Sequence, residues 1–330
     1  MMNEQKIIAL ITTGGTIAMA ARDLGKADSG VPKLTSSALL EAVPDIKDIA
    51  EIAPYDLLSK PSASLTLDDL WTLIQKIDAL TGHVDGVVIT HGTDVMEETA
   101  FALACLCRMD MPIVMTGAMR RADLPGADGP ANLIDAVRVA SSADAKDLGP
   151  LVVMGGEVFA GSTVQKRHSF LPHAFSGNAI GHIVQDEVRI LYKPAINLPH
   201  LKLVKKRPII PIFECGFNAM AEEFCAIDFN AIDALVLNIT GVGHTSDLVM
   251  DALASITGDL PVIFTSRTMN GETFRKSYYG YPGSESSLMK RGCIPGGWLN
   301  GRQARMVLKL YGSHHDLTPS NVRELFRQFI

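Results

Sequence analysis

No stretch of this 330-residue chain approaches the roughly 20 consecutive apolar residues that a helix needs to cross a bilayer. The apolar stretch nearest the N-terminus, Ile7–Ile11, is too short for the core of a secretion signal, so neither a membrane role nor export is expected. Cysteine is scarce. Five residues, Cys105, Cys107, Cys215, Cys225 and Cys293, form an odd and scattered set, which excludes a disulfide framework and reads as reduced thiols in the cytoplasm. No Cys-x-x-Cys pair occurs and none of the nine histidines has the spacing of a zinc site, so no metal is expected. Positive charge is also short: 30 Lys and Arg against 36 Asp and Glu give a formal charge of -6, with no electrostatic reason to approach nucleic acid or anionic lipid. Neither Gly-x-Gly-x-x-Gly nor Gly-Lys-Ser/Thr follows the first apolar run, which removes the dinucleotide fingerprint and the nucleotide-binding P-loop. No cofactor is expected, and the partner is a small molecule.

What is present is a globular composition, 47% hydrophobic and 20% charged, over a length that suits two domains. Short apolar runs recur at Ile7–Ile11, Gly86–Thr90, Pro112–Thr116, Leu151–Met154, Pro208–Phe213, Ala234–Ile239 and Leu260–Thr265, the pattern of strands buried on both faces. Amphipathic segments lie between them, among them Leu67–Leu80, Met96–Cys107, Ala131–Ala140, Ala219–Ala226 and Asp247–Ala254, as parallel strands require of their crossovers. The fold class expected is α/β, with a large N-terminal doubly wound domain on a mainly parallel sheet and a smaller C-terminal α/β domain. A proline-interrupted stretch at 190–207 has no helical period and reads as a linker between domains 1–189 and 208–330. The segment Thr318–Ile330 reads as a capped terminal helix that docks through Val322, Leu325, Phe326 and Phe329.

Chemistry in open α/β sheets gathers where strands end at their carboxyl side. Thr12-Thr13-Gly14-Gly15-Thr16 follows the first run, and the glycine pair lets a backbone turn tightly against a ligand. His91-Gly92-Thr93-Asp94 follows the second and leads into Met96-Glu97-Glu98, a concentration of carboxylates that serves a helix start. It also places a hydroxyl and a carboxylate at one strand end. A glycine-rich loop after Leu151–Met154 carries Lys166; such a lysine is ordinarily a solvated charge, and pairing with Asp94 would make it a tunable base.

Thr-Gly-Gly-Thr-Ile-Ala, His-Gly-Thr-Asp, Met-Glu-Glu-Thr-Ala, Val-Met-Thr-Gly-Ala-Met-Arg, Ala-Asp-Gly-Pro-Ala-Asn-Leu and the closing Gly-Gly-Trp-Leu-Asn-Gly-Arg-Gln-Ala-Arg resemble, in this order along the whole chain, the bacterial asparaginase/glutaminase family. The resemblance implies hydrolysis of asparagine to aspartate and ammonia through a threonine acyl-enzyme. It matches Thr13 to the nucleophile, Thr93, Asp94 and Lys166 to the proton relay, and Gly14, Ser62, Gly92 and Ala118 to the substrate-binding surface. Glu285, counted back from the closing motif, matches a glutamate that a neighbouring subunit presents to the substrate amino group. A homodimer or homotetramer with active sites at the subunit interface is implied.

The chain also departs from that pattern. Residues 1–54 hold no tyrosine, and Ser29 stands where the family carries one beside its nucleophile. Val95 and Ala63 replace polar side chains near the substrate, which loosens the expectation of free asparagine. Alternatives are an amidase for glutamine or another modified or larger amide, and a silent amino-acid-binding protein. The segment 20–33, with Arg22, Asp23, Lys26, Asp28 and Ser29, is expected to act as a lid that excludes water.

Overall fold

The computed structural model describes residues 5–18, 35–108, 110–195, 198–204, 207–253 and 258–330. The lid expected at 20–33, Ser29 included, lies outside the described residues. Two compact units divide the chain between residues 197 and 198.

In the first unit the strands are β1 (Ile7–Gly14), β2 (Glu51–Lys60), β3 (Gly86–Thr90), β4 (Ile113–Thr116), β5 (Pro150–Met154), β6 (Glu157–Ala160), β7 (Gln165–Lys166), β8 (Phe175–Ser176), β9 (Gly181–Val184) and β10 (Glu187–Ile190). Its helices are α1 (Ser36–Glu41), α2 (Leu67–Leu80), α3 (Met96–Leu106) and α4 (Gly129–Ser141). Eight strands form one sheet in the order β10-β9-β6-β5-β4-β3-β1-β2, while β7 and β8 pair separately. From β2 to β5 all neighbours are parallel, and from β5 to β10 they are antiparallel. β1 and β3 lie inside the sheet and are buried almost throughout on both faces, which is why they read as unbroken apolar runs. β2 is the sheet edge. There Pro54 is tolerated, since the missing N–H breaks no inner ladder, and the charged residues of the strand meet solvent.

Helix α2 starts on a capping box in which Thr66 and Asp69 serve each other's backbone, and it buries Leu70, Leu73, Ile74, Ile77 and Leu80 at helical spacing. The chain leaves β1 for β2 on one side and returns to β3 on the other. The carboxyl ends of β1 and β3 therefore flank the switch point, where open α/β sheets leave a crevice.

The second unit has a parallel sheet β11 (Ile212–Glu214), β12 (Leu235–Ile239), β13 (Val262–Ser266) and β14 (Ile294–Pro295), in that order. Its helices are α5 (Ala221–Cys225), α6 (Asp247–Leu253), α7 (Glu285–Lys290), α8 (Gly301–Tyr311) and α9 (Pro319–Phe326). Phe224, Leu235, Leu237, Val249, Phe264 and Leu288 make its core. Asn300 in the closing motif caps α8 and exchanges hydrogen bonds with Gln303. Thr318 caps α9, whose Val322, Leu325 and Phe326, followed by Phe329, are buried as their spacing predicts. Within the proline-interrupted stretch, Leu201 and Leu203 are buried and the Val204 N–H donates to Ser313 Oγ, so that piece packs as part of the second unit. Four cysteines are buried, whereas Cys225 is exposed.

Candidate active site

Five chain segments of the first unit converge at the carboxyl ends of β2, β1, β3 and β4. After β1 the backbone takes positive φ at Gly14 (109°) and Gly15 (88°), conformations that L side chains resist. A Cβ on Gly15 would lie 2.4 Å from both N and Cα of Gly92, so the two motif glycines pack backbone against backbone. Gly92 in turn leaves room for Ser62 Oγ, which a Cβ there would approach to 2.6 Å. Ser62, buried after β2, accepts the Asp94 N–H at 3.2 Å.

Lys166 closes the cluster. Its Nζ donates to Thr93 Oγ1 at 2.9 Å and to Asp94 Oδ1 at 2.8 Å, with 11% of the lysine side chain exposed against 67% of the aspartate's. The sequence places this lysine in an open loop; the structure corrects that to β7, whose ribbon with β8 holds the residue opposite Phe175. Thr93 is buried, and with one lone pair occupied by the amine its own O–H remains available to a substrate or water.

The two threonines of the first motif differ in what they can reach. Thr13, the residue matched to the nucleophile, is 2% exposed, and its Oγ1 donates to the Thr90 carbonyl at 2.9 Å, tying the end of β1 to β3. Thr16 opens the short 3-10 turn Thr16–Ala18, is only half-buried, and has no side-chain hydrogen bond among the described residues. The sequence pattern singles out Thr13 alone; in the structure the glycine pair that reverses the backbone follows Thr13 and precedes Thr16.

His91 braces the turn from within. It is fully buried, its ring approaches Gly92 O at 2.6 Å through Nδ1 and Thr99 Oγ1 at 3.1 Å through Nε2. A carbonyl only accepts, so Nδ1 carries the proton and Nε2 accepts from the threonine. Burial pushes the imidazole pKa down to about 4, with the Gly92 contact opposing. Ala118, buried after β4, is framed by Asn132 Nδ2 on Gly117 O at 3.0 Å and by the Asp128 carboxylate, which accepts from the N–H groups of Met119 and Arg120. Val95 occupies the N-cap position of α3 without a side-chain cap bond, and Ala63 is exposed.

Glu285 belongs to the second unit. It is fully buried, and Oε1 accepts from Tyr278 N at 2.7 Å, Tyr279 N at 2.8 Å and Ser286 Oγ at 3.0 Å. Burial alone would raise its pKa, but these donors outweigh it and hold the carboxyl below the usual range. Oε2 faces His244 Nε2 at 3.5 Å, and neither atom has a hydrogen-bond partner among the described residues.

Comparison with known proteins agrees with the sequence pattern. Residues 7–196 match the family described as Asparaginase, N-terminal, and residues 215–326 match the Glutaminase/Asparaginase C-terminal domain. A protein of Deinococcus radiodurans named probable L-asparaginase is 34% identical, with 91% of each chain covered. A glutaminase-asparaginase of Acinetobacter glutaminasificans is 32% identical over 92% of this chain and 94% of its own. The crystal structure of a probable cytoplasmic L-asparaginase from Campylobacter jejuni superimposes with a TM-score of 0.85 at 28% identity, covering 98% of this chain and all of that one. With both of its domains matched by the family's models, the chain belongs to the asparaginase family.

Proposed function

We propose that the protein hydrolyses L-asparagine to L-aspartate and ammonia through a threonine acyl-enzyme, with Thr16 as nucleophile and Thr93, Asp94 and Lys166 as the proton relay. The observation that carries this reading is the contact of Lys166 Nζ with both Thr93 Oγ1 and Asp94 Oδ1 beside the Gly15–Gly92 packing. Accessibility favours Thr16 over Thr13, whose proton is already committed to a backbone carbonyl inside the sheet. In the first half-reaction Thr16 Oγ bonds to the side-chain amide carbon, the carbon–nitrogen bond breaks, and the hydroxyl proton leaves with the nitrogen as ammonia. In the second, water adds to the ester carbon, one of its protons returns to Thr16 Oγ, and aspartate departs. The relay serves both steps: Asp94 holds the lysine amine, and the amine orients Thr93 so that its hydroxyl hands protons across the site. Ser62, Gly14, Gly92 and Ala118 shape the small pocket around the substrate.

Val95 and Ala63 favour a second reading, in which glutamine or a larger amide is also accepted, because both remove polar groups that would discriminate among small amides. Ammonia release from L-asparagine, L-glutamine, their D-isomers and larger amides tests both. Fastest turnover of L-asparagine supports the first reading, preference for another amide supports the second, and no ammonia from any of them contradicts both.

We further propose that the working unit is a homodimer or homotetramer in the cytoplasm, with Glu285 delivered to a neighbour's site. Oε2 of Glu285, which faces His244 Nε2 at 3.5 Å and has no hydrogen-bond donor among the described residues, keeps lone pairs for an α-ammonium group. Specific activity should then fall on dilution as subunits part, and activity independent of concentration down to monomer would contradict this assembly.

A further inference from the structure

Glu97 plays no part in the relay, yet it is 7% exposed in the first turn of α3 and its carboxylate accepts the backbone N–H of Lys166. An acidic residue at a helix start is ordinarily explained by the helix dipole. That explanation does not require burial, nor a bond to a strand 69 residues away in sequence. The ribbon that carries Lys166 gives the bond its meaning. β7 and β8 are two residues each, and a two-stranded ribbon of that size has little stability of its own. Within it the Arg167 N–H turns inward to Ala174 O at 2.8 Å, so the preceding Lys166 N–H faces outward, away from β8 and toward α3.

We propose that Glu97 is a positioning residue that clamps the main chain of Lys166 to the start of α3, so that the amine arrives at Thr93 and Asp94. This rests on the reading of Lys166 as part of the proton relay. Thr93 and Asp94 immediately precede α3, so one helix start holds both ends of the lysine: Glu97 its backbone, Thr93 and Asp94 its Nζ. A lysine has a long, flexible stem, and fixing only its tip leaves the ribbon free to drift relative to the helix. With the backbone also fixed, the amine is preorganised before substrate arrives.

The test compares wild type, Glu97→Ala, Glu97→Asp, Glu97→Gln, Lys166→Met and the double variant Glu97→Ala/Lys166→Met. It reads kcat and KM for ammonia release from asparagine, and amide hydrogen exchange of the peptide containing Lys166 in the same preparations. Glu97→Ala should lower kcat by about 10–100-fold with KM within about threefold, and in the Lys166→Met background it should add no further loss. Glu97→Gln, which still offers an oxygen to the N–H, should recover most of the rate. Glu97→Asp, with a shorter reach, should fall between them. Exchange at Lys166 should accelerate in Glu97→Ala and stay near wild type in Glu97→Gln. Equal losses from Glu97→Ala with and without Lys166, or unchanged exchange in Glu97→Ala and Glu97→Asp, would overturn the clamp. If wild type released no ammonia while exchange still responded to Glu97, the clamp would stand and the functional reading would fall.

Discussion

His91 ties the stability of this protein to pH in a way that can be worked from its surroundings. The imidazole is fully buried with its Nδ1 proton on Gly92 O, and its pKa falls from 6.5 to about 4, chiefly because burial penalises the charged ring. In the unfolded chain the same ring takes up a proton near pH 6.5. Between those two values the unfolded state binds more protons than the folded one, so stability falls as the pH is lowered through this window and is unaffected by His91 above it. At about 1.4 kcal/mol per unit, the full window costs about 3 kcal/mol by pH 4. The perturbation is His91→Gln, whose amide can still donate to Gly92 O but does not titrate. Urea unfolding of both proteins at pH 7.5 and pH 4.5, at one fixed protein concentration, isolates the effect as a double difference. Wild type should lose about 2–3 kcal/mol more than the variant between the two pH values. Equal losses in the two proteins would show that His91 is not held neutral, and the bracing of Gly92 assigned to it would be wrong.

Other substitutions probe the site and the scaffold separately. Lys166→Met should reduce kcat for ammonia release by about a hundredfold or more, whereas Arg167→Met, at an exposed neighbour, should change it by less than about threefold; equal small effects would return Lys166 to an ordinary surface charge. Gly15→Ala places a Cβ 2.4 Å from the Gly92 backbone at a φ of 88°, so turnover should fall by more than about a hundredfold, and full activity in that variant would show that this packing does not set the site. Phe326→Ala, in the terminal helix, should cost about 3–5 kcal/mol in urea unfolding, and a loss under about 1 kcal/mol would contradict its place in the core.

The parallel centre of the larger sheet was legible because burial on both faces leaves only apolar residues: the run Gly86–Thr90 is β3, residue for residue. Helix α2 was equally plain from its apolar period. The edge strand β2 was missed, because Pro54 and the solvent-facing charges erase the apolar run where one side of the strand has no neighbour. The antiparallel strands β6, β9 and β10 are only four residues each, too short to carry a period. At the site, composition at the strand ends pointed to Thr93, Asp94 and Lys166, but their meeting depends on a ribbon that brings Lys166 back across 72 residues to Asp94. The choice between Thr13 and Thr16 was beyond composition. It turns on which hydroxyl the sheet buries, and that is decided by the direction of the backbone through Gly14 and Gly15. Glu97 likewise reads as helix-start charge until its partner, a backbone N–H, is located.

If a threonine of the first motif carries the acyl group, acid-quench mass spectrometry can locate it on the chain. Enzyme mixed with excess L-asparagine is quenched within a turnover, digested, and the peptide spanning β1 and the glycine turn is fragmented to locate an added aspartyl group. The adduct should form on Thr16, disappear together with turnover in Thr16→Ala, and remain on Thr16 in Thr13→Val. An adduct on Thr13, or steady hydrolysis of asparagine by Thr16→Ala, would contradict this assignment.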